Sequence, residues 1–179
     1  MAERNNTRLW SMRGLFILLC MFVIFWRLLP LDLIPHNIAG PDLILALICT
    51  WVLRRPEYAT PLMIAAIVLL TDLLFQRPPG LWTALVLLGS EALKSRSAGL
   101  RDMGFVPEWI TVASVVVVIT LANRLVLALL LVDQAPLGLT LVQMLMTILF
   151  YPFVIMFSAM IFGIRKIKPG DAESLGHRA

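Results

Sequence analysis

Three ionisable residues lie inside otherwise apolar stretches of this sequence, and their types and positions could support ion pairing or the binding of an anion. Asp72 lies in the run 60–75, Arg27 in the run that begins at residue 14, and Arg124 in a valine-rich run after residue 109. An intramembrane charge costs roughly 2.5–3.5 kcal/mol on insertion scales, so such residues normally face protein or water and pair with one another. A carboxylate and a guanidinium in this setting could form an ion pair, or the guanidinium could face an anionic ligand.

No catalytic motif accompanies these three residues. The sequence contains no His-Glu-x-x-His, no Gly-x-Ser-x-Gly, no phosphate-binding glycine loop and no paired aspartates on neighbouring apolar runs. Its two histidines are His36 and His177, one in a predicted loop and one in the tail. We therefore expect a protein that is not an enzyme and that needs no cofactor or metal.

The composition indicates a membrane protein. Of the 179 residues, 60% are apolar and 15% are charged, and the mean hydropathy is +0.89, whereas soluble domains are about one-half apolar and one-quarter charged. Segments such as 109–123 and 134–164 contain no charged residue. The sequence therefore predicts an all-α polytopic membrane protein with one domain, residues 1–179. Cys20 and Cys49 lie in apolar runs and are interpreted as packing residues, not as a disulfide or metal pair.

Six apolar runs are interpreted as transmembrane helices in one bundle. The predicted spans are 14–33, 38–53, 59–75, 80–93, 109–132 and 137–164. The second is short, about 24 Å of helix, so it must be little tilted, broken or sheltered by neighbours. Gly40-Pro41-Asp42 is interpreted as the start of its helix, because proline suits the first turn of a helix and aspartate suits the positive end of its dipole. The sixth is long enough to need a tilt or a bend at Pro152.

The basic residues predict the orientation. Segments at one side of the six spans carry three, two, three and four Lys and Arg, twelve of the 15, whereas the opposite loops carry one, Arg77. Loops rich in Lys and Arg stay in the cytoplasm, so both termini are predicted to be cytoplasmic. Because the basic residues lie at the ends of apolar runs, we interpret the net charge of +4 as a topology signal and not as a nucleic-acid surface.

The intramembrane charges are predicted to share one depth. At about 1.5 Å per residue, Arg27, Asp72 and Arg124 lie roughly 18–23 Å above the inner boundary of a core about 30 Å thick. Asn123 lies at the same level, and Gln143 enters from the outer side to a similar depth. We expect a polar layer in the outer part of the membrane core, in which Asp72 pairs with Arg27 or Arg124. We also expect the span that contains Asp72, residues 59–75, to be surrounded by the other five spans. The alternative is that both arginines snorkel to the outer headgroups.

Other polar and aromatic residues lie near the predicted span ends. Glu91 precedes Lys94 by three residues, which predicts a surface ion pair on one helix face; lining an inner cavity is the alternative. The five tryptophans are interpreted as interfacial anchors: Trp10, Trp26, Trp51, Trp82 and Trp109.

Two short motifs complete the pattern. Gly40-Pro41-Asp42-Leu43-Ile44-Leu45 opens the second span, and Asp72-Leu73-Leu74 precedes a proline-containing turn that ends at Gly80-Leu81. With six spans in a chain of this length, this layout resembles the rod shape-determining protein MreD family of bacterial inner membranes. The resemblance carries the family's Pro-Asp pair onto Pro41 and Asp42, its intramembrane acid onto Asp72 and its turn glycine onto Gly80. The sequence departs from the family at Gln76-Arg77-Pro78-Pro79, where small residues and glycine are commoner.

The resemblance implies a non-enzymatic scaffold of the cell-elongation machinery, which helps to maintain rod shape and to organise side-wall peptidoglycan synthesis. The implied partners are MreC, the actin-like MreB, and the glycosyltransferase RodA with its transpeptidase partner, in addition to membrane lipid. The implied fold is similar to that of the substrate-binding subunits of energy-coupling-factor transporters. A second function stays open, a small-solute binding or transport subunit that uses the outer polar layer as a pocket, with Arg27 and Arg124 facing an anion.

Overall fold

The computed structural model describes residues 2–29, 40–100 and 103–162, and these residues form six helices and no strand. The helices are α1 (Ala2–Leu28), α2 (Leu43–Arg54), α3 (Pro61–Leu74), α4 (Leu81–Leu100), α5 (Phe105–Leu129) and α6 (Leu137–Phe162). The all-α prediction is confirmed for the described residues. The outer end of the first predicted span, the start of the second, the end of the sixth, both histidines and the basic tail lie outside them.

Three of these helices are long and apolar enough to cross a membrane. They are Thr7–Leu28 of α1, Phe105–Leu129 of α5 and Leu137–Ile161 of α6. The apolar helices α2 and α3 are shorter, with 12 and 14 residues. Helix α4 continues to Leu100 and α5 already begins at Phe105, so most of the predicted loop 94–108 is helical.

The centre of the bundle is α2, not α3, and the expectation that the other spans surround the third is wrong. Helix α2 packs against α1, α4 and α6, while the outer helices contact one another in the order α1, α3, α4, α5, α6. Residues 44–53 of α2 are all buried. At about 1.5 Å per residue α2 is about 18 Å long, well short of a hydrocarbon core about 30 Å thick. Its neighbours therefore shelter it, which was one of the three alternatives for the short second span.

Side chains pack closely around α2. The Trp51 side chain has no exposed surface, and its ring lies 5.2 Å from that of Phe16 and 6.4 Å from that of Tyr58, centroid to centroid. Trp51 is thus a core residue, and its interpretation as an interfacial anchor is wrong. Cys20 and Cys49 are buried and free, as predicted.

Helix α4 approaches α5 at a glycine. A Cβ atom at Gly89 would lie 2.5 Å from the Ile119 Cδ1 atom and 3.0 Å from the Val115 Cγ1 atom. Small residues allow this kind of close approach between membrane helices, where dispersion contacts supply much of the association energy. Gly89 therefore sets the distance between the two helix axes.

The carbonyl group that the proline of α6 leaves without a helical donor accepts a hydrogen bond from another helix. Pro152 lies inside α6 and has no N–H, so the carbonyl of Ile148, four residues earlier, loses its helical donor. The Trp109 Nε1–H group of α5 donates to this carbonyl oxygen at 3.0 Å. In a medium without water a freed carbonyl needs such a replacement donor, so Trp109 both satisfies α6 and fastens α5 to it.

We predict that Trp109→Phe lowers the free energy of unfolding by about 1–2 kcal/mol, because the Ile148 carbonyl then has no donor. The measurement is a denaturant titration in mixed micelles, followed by circular dichroism. The control is Pro152→Ala, which returns a backbone N–H to the same carbonyl. In that background Trp109→Phe should cost much less, and equal costs in both backgrounds would contradict the assignment.

Candidate functional site

Asp72 binds the start of the next helix. Its side chain is completely buried, and its Oδ2 atom accepts hydrogen bonds from the backbone N–H groups of Gly80 and Thr83 at 3.2 Å each and from the Thr83 hydroxyl at 2.7 Å. Gly80 immediately precedes α4, so these N–H groups belong to the first turn, whose donors have no partner within the helix. A carboxylate is also favoured at the positive end of the helix dipole. Asp72 therefore joins the end of α3 to the start of α4.

The turn between α3 and α4 completes this link. The Arg77 N–H group donates to the Asp72 carbonyl oxygen at 2.9 Å, across Gln76, whose φ is 54°. This bond and the left-handed residue inside it are features of a common helix-ending motif that glycine normally occupies. Gly80 also has a positive φ, 91°, which glycine adopts without steric cost. The turn thus ends α3, and Asp72 bonds to both of its ends, to the Arg77 N–H group through its carbonyl oxygen and to the Gly80 N–H group through its carboxylate.

Neither arginine pairs with Asp72, so the predicted ion pair is wrong. The Arg27 guanidinium is exposed and lies 5.0 Å from the centre of the Phe75 ring. The Arg124 Nη1 atom donates to the carbonyl oxygen of Ala135 at 3.0 Å and to the Thr140 hydroxyl at 2.6 Å. The Asp72 Oδ2 atom is instead compensated by backbone and hydroxyl donors, which offsets part of the cost of burial, whereas its buried Oδ1 atom has no hydrogen-bond partner among the described residues.

Asp42 supports the start of α2, as the sequence predicts for a helix N-terminus. Its Oδ1 atom accepts from the Leu45 N–H group at 3.1 Å, and its own N–H group donates to the Thr147 hydroxyl at 2.8 Å. The Thr147 hydroxyl donates in turn to the Gln143 carbonyl oxygen at 2.7 Å. The buried end of α2 is therefore bonded to the middle of α6. Pro41 precedes it, and the Pro41 carbonyl accepts from the Leu43 N–H group at 3.1 Å.

A cavity of about 290 Å³ opens beside this end of α2, and we call it the polar cavity. It lies between the α3–α4 turn, α5, the α5–α6 connection and α6. It brings together three residues of the predicted polar layer, Asn123, Arg124 and Gln143, and adds Asp42 and Arg77. Asp72, Arg27 and Gly80 do not line it. A cavity of this volume with several polar groups is at the small end of ligand sites.

The opposite end of α2 carries a charged cluster that the sequence did not indicate. Glu108, completely buried in the first turn of α5, accepts from the Arg54 Nε atom at 3.0 Å and from the Tyr151 hydroxyl at 3.2 Å. The Arg54 side chain is 11% exposed. Both charges lie one residue outside the predicted spans 38–53 and 109–132, in predicted loops. The signal was their position directly at the ends of two apolar runs, where each could turn inward.

The predicted surface pair on α4 is confirmed. The Lys94 Nζ atom lies 3.6 Å from the Glu91 Oε1 atom, and both side chains are more than one-third exposed. An exposed pair of this kind contributes little to stability. It therefore serves as a reference for the energetic contribution of the buried Arg54–Glu108 pair.

We predict that Asp72→Ala lowers the free energy of unfolding by about 2 kcal/mol, because the Gly80 and Thr83 N–H groups lose their acceptor. Asp72→Asn keeps an acceptor oxygen and should cost clearly less. Asp133→Ala, which removes an exposed acid from the α5–α6 connection, is the control and should leave stability within about 0.5 kcal/mol. If Arg27→Gln destabilised the protein as much as Asp72→Ala, an ion pair would have to be reconsidered.

We predict that Glu108→Gln lowers the free energy of unfolding by about 3 kcal/mol, because Arg54 stays buried without its counter-charge. Glu91→Gln removes a carboxylate from an exposed pair and should change it by less than about 0.5 kcal/mol. Both variants are compared by denaturant titration in the same micelles. Equal effects would show that burial of the Arg54–Glu108 pair has no energetic consequence.

Comparisons of the chain with models of protein families, with curated proteins and with solved structures find no match. Two polar regions stand out at the ends of α2, the closed cluster around Glu108 and the open polar cavity, with the Asp72 link next to the latter.

Proposed function

We propose that this protein is a non-enzymatic scaffold of the bacterial cell-elongation machinery in the inner membrane. Its proposed partners are MreC, MreB, and RodA with its transpeptidase partner. The observation that carries the proposal is the use of the two motif acids. Asp42 supports the start of α2 and Asp72 supports the start of α4, so both carboxylates accept hydrogen bonds that hold the bundle together, and Asp42 also lines the polar cavity. The residues that resemble the family are thus structural ones.

The shape of the surface supports the same proposal. The connections 55–60, 75–80 and 130–136 are short, and the outer faces of α1, α5 and α6 expose large apolar side chains. An apolar concavity of about 580 Å³ lies between α1 and α6, with α2 at its base. A partner therefore meets mainly helix faces. In lipid these contacts depend on close packing and on polar groups, because lipid competes equally for apolar side chains.

We also propose that all six helices lie in the bilayer, in a fold similar to the substrate-binding subunits of energy-coupling-factor transporters, with both termini cytoplasmic. The charge count supports this orientation. In addition, the Arg13 Nη2 atom of α1 donates to the Glu57 carbonyl oxygen at 3.1 Å. The beginning of α1 and the basic α2–α3 connection thus lie at the same end of the bundle, as a common cytoplasmic side requires.

A small-solute binding or transport subunit is the second candidate, and the polar cavity favours it. Arg77 and Arg124 both line this cavity, and guanidinium groups are well suited to carboxylate and phosphate. In this alternative the cavity would be a substrate site, and depletion of the protein would change solute uptake rather than shape.

We predict that depletion of the protein in its host causes loss of rod shape with normal solute uptake. Complementation uses the chain with a C-terminal green fluorescent protein, which fluoresces when that terminus is cytoplasmic and also serves as the affinity handle. MreC and RodA should co-purify with it from detergent-solubilised membranes. The matched control is another polytopic membrane protein of the same host with the same tag.

Two results would contradict the scaffold. Depletion that leaves cells rod-shaped but creates a nutrient requirement would favour the solute subunit. Recovery of MreC and RodA in equal amounts with the control protein would remove the support for a specific assembly. A dark fusion that is nevertheless produced and active would reverse the proposed orientation.

A further inference from the structure

The polar cavity contains a cation whose hydrogen-bonding capacity is unused by the described residues. The Arg77 guanidinium lies over the rings of Phe75 and Trp82, 5.9 Å and 5.4 Å from their centroids. Among the described parts of the chain it forms no ion pair and no side-chain hydrogen bond. Its backbone is held by the bond to Asp72, so the side chain is positioned at the cavity while its five N–H donors stay available.

Further donors line the same cavity. Arg124 uses its Nη1 atom for Ala135 and Thr140, which leaves its Nε and Nη2 donors. The side-chain amides of Asn123 and Gln143 also line the cavity, and within the described residues neither forms a hydrogen bond. Two guanidinium groups and two amides thus offer more donors than the surrounding protein accepts.

The acids on the cavity wall do not cancel these donors. Asp42 is buried and accepts from the first turn of α2, so part of its charge is compensated by that helix end. Asp133 is exposed, where water and salt screen its charge. The groups that lack partners are therefore mainly donors, and a site with this excess favours an anion that accepts many hydrogen bonds.

We propose that the polar cavity binds a phosphate group, between the guanidinium groups of Arg77 and Arg124 and the amides of Asn123 and Gln143. Phosphate offers more acceptor oxygens than a carboxylate, and arginine can bind it through two parallel hydrogen bonds. A volume of about 290 Å³ accommodates a phosphate with a small organic group. The proposal goes beyond the scaffold function and does not rest on it.

Two sources can supply this chemistry, the headgroup of an anionic phospholipid and a soluble phosphate monoester. The delipidated full-length protein in a neutral maltoside detergent is tested with two phosphate probes, each compared with a control that lacks the phosphate. Phosphatidylglycerol and diacylglycerol are compared by native mass spectrometry, and glycerol 3-phosphate is titrated by calorimetry against glycerol. The lipid source requires preference for phosphatidylglycerol over diacylglycerol, and the soluble source requires binding of glycerol 3-phosphate but not of glycerol.

The variants distinguish this site from general attraction to a basic protein. Arg77→Gln should weaken binding of the preferred probe about tenfold or more, as expected for one charge-assisted contact. Asn123→Ala should weaken it by a smaller factor. Arg96→Gln removes an exposed arginine of α4 that does not line the cavity and should leave binding unchanged. Each variant is first shown to unfold at the wild-type midpoint without probe.

Selective binding of either phosphate probe that is weakened by Arg77→Gln and not by Arg96→Gln supports the proposal and identifies the source. Absence of selective binding by the folded wild-type protein overturns it. Selective binding that is insensitive to both Arg77→Gln and Asn123→Ala, or equally sensitive to Arg96→Gln, also overturns it. None of these results bears on cell shape after depletion, so the two proposals fail separately.

Discussion

A helix that is shorter than the bilayer core and enclosed by protein must find partners for both of its ends inside the bundle. The bilayer core offers no water to unpaired N–H and C=O groups. At the start of α2 this demand is met by Asp42 and Thr147. At its end the Arg54 side chain donates to Glu108, which also accepts from the Tyr151 hydroxyl. Since α6 contributes to both ends, the position of α2 fixes that of α6, and α5 follows through Glu108.

The same constraint explains the acid in α3 and the openness of one end of the bundle. Asp72 compensates the first turn of α4, so its carboxylate is committed to the fold. Arg77 lies in the α3–α4 turn, and Arg124 donates a hydrogen bond to the α5–α6 connection. Both side chains line the polar cavity. One end of α2 is therefore closed by a buried ion pair, whereas the other opens into a donor-rich cavity. The first feature fixes α2, α5 and α6 against one another, and the second is the site proposed for a phosphate group.

Several features were predictable from the sequence because they depend on residues close together in the chain. The helical class, the Asp42 cap and the Glu91–Lys94 pair follow from periodicity, helix-end chemistry and one-turn spacing. Depth counting also placed Asn123 and Arg124 at one level, and they do line one cavity. The partners of Asp72 were missed because two of its three donors are backbone N–H groups, which leave no residue-type signal in a sequence, and the third is the hydroxyl of Thr83 in the next helix.

By itself the sequence predicted a helical, strongly apolar protein with six spans and with Asp42 at a helix start, and three of its helices are long and apolar enough to cross a membrane. Only the tertiary structure decided that α2 is the central helix, that Trp51 belongs to the core and that Glu108 turns inward to Arg54. The physical reason is that lipid and protein interior are about equally apolar. Hydropathy therefore shows that a helix is removed from water, but it does not distinguish burial in lipid from burial in protein. Which polar groups form hydrogen bonds with one another depends on which helix ends lie close together in the folded protein.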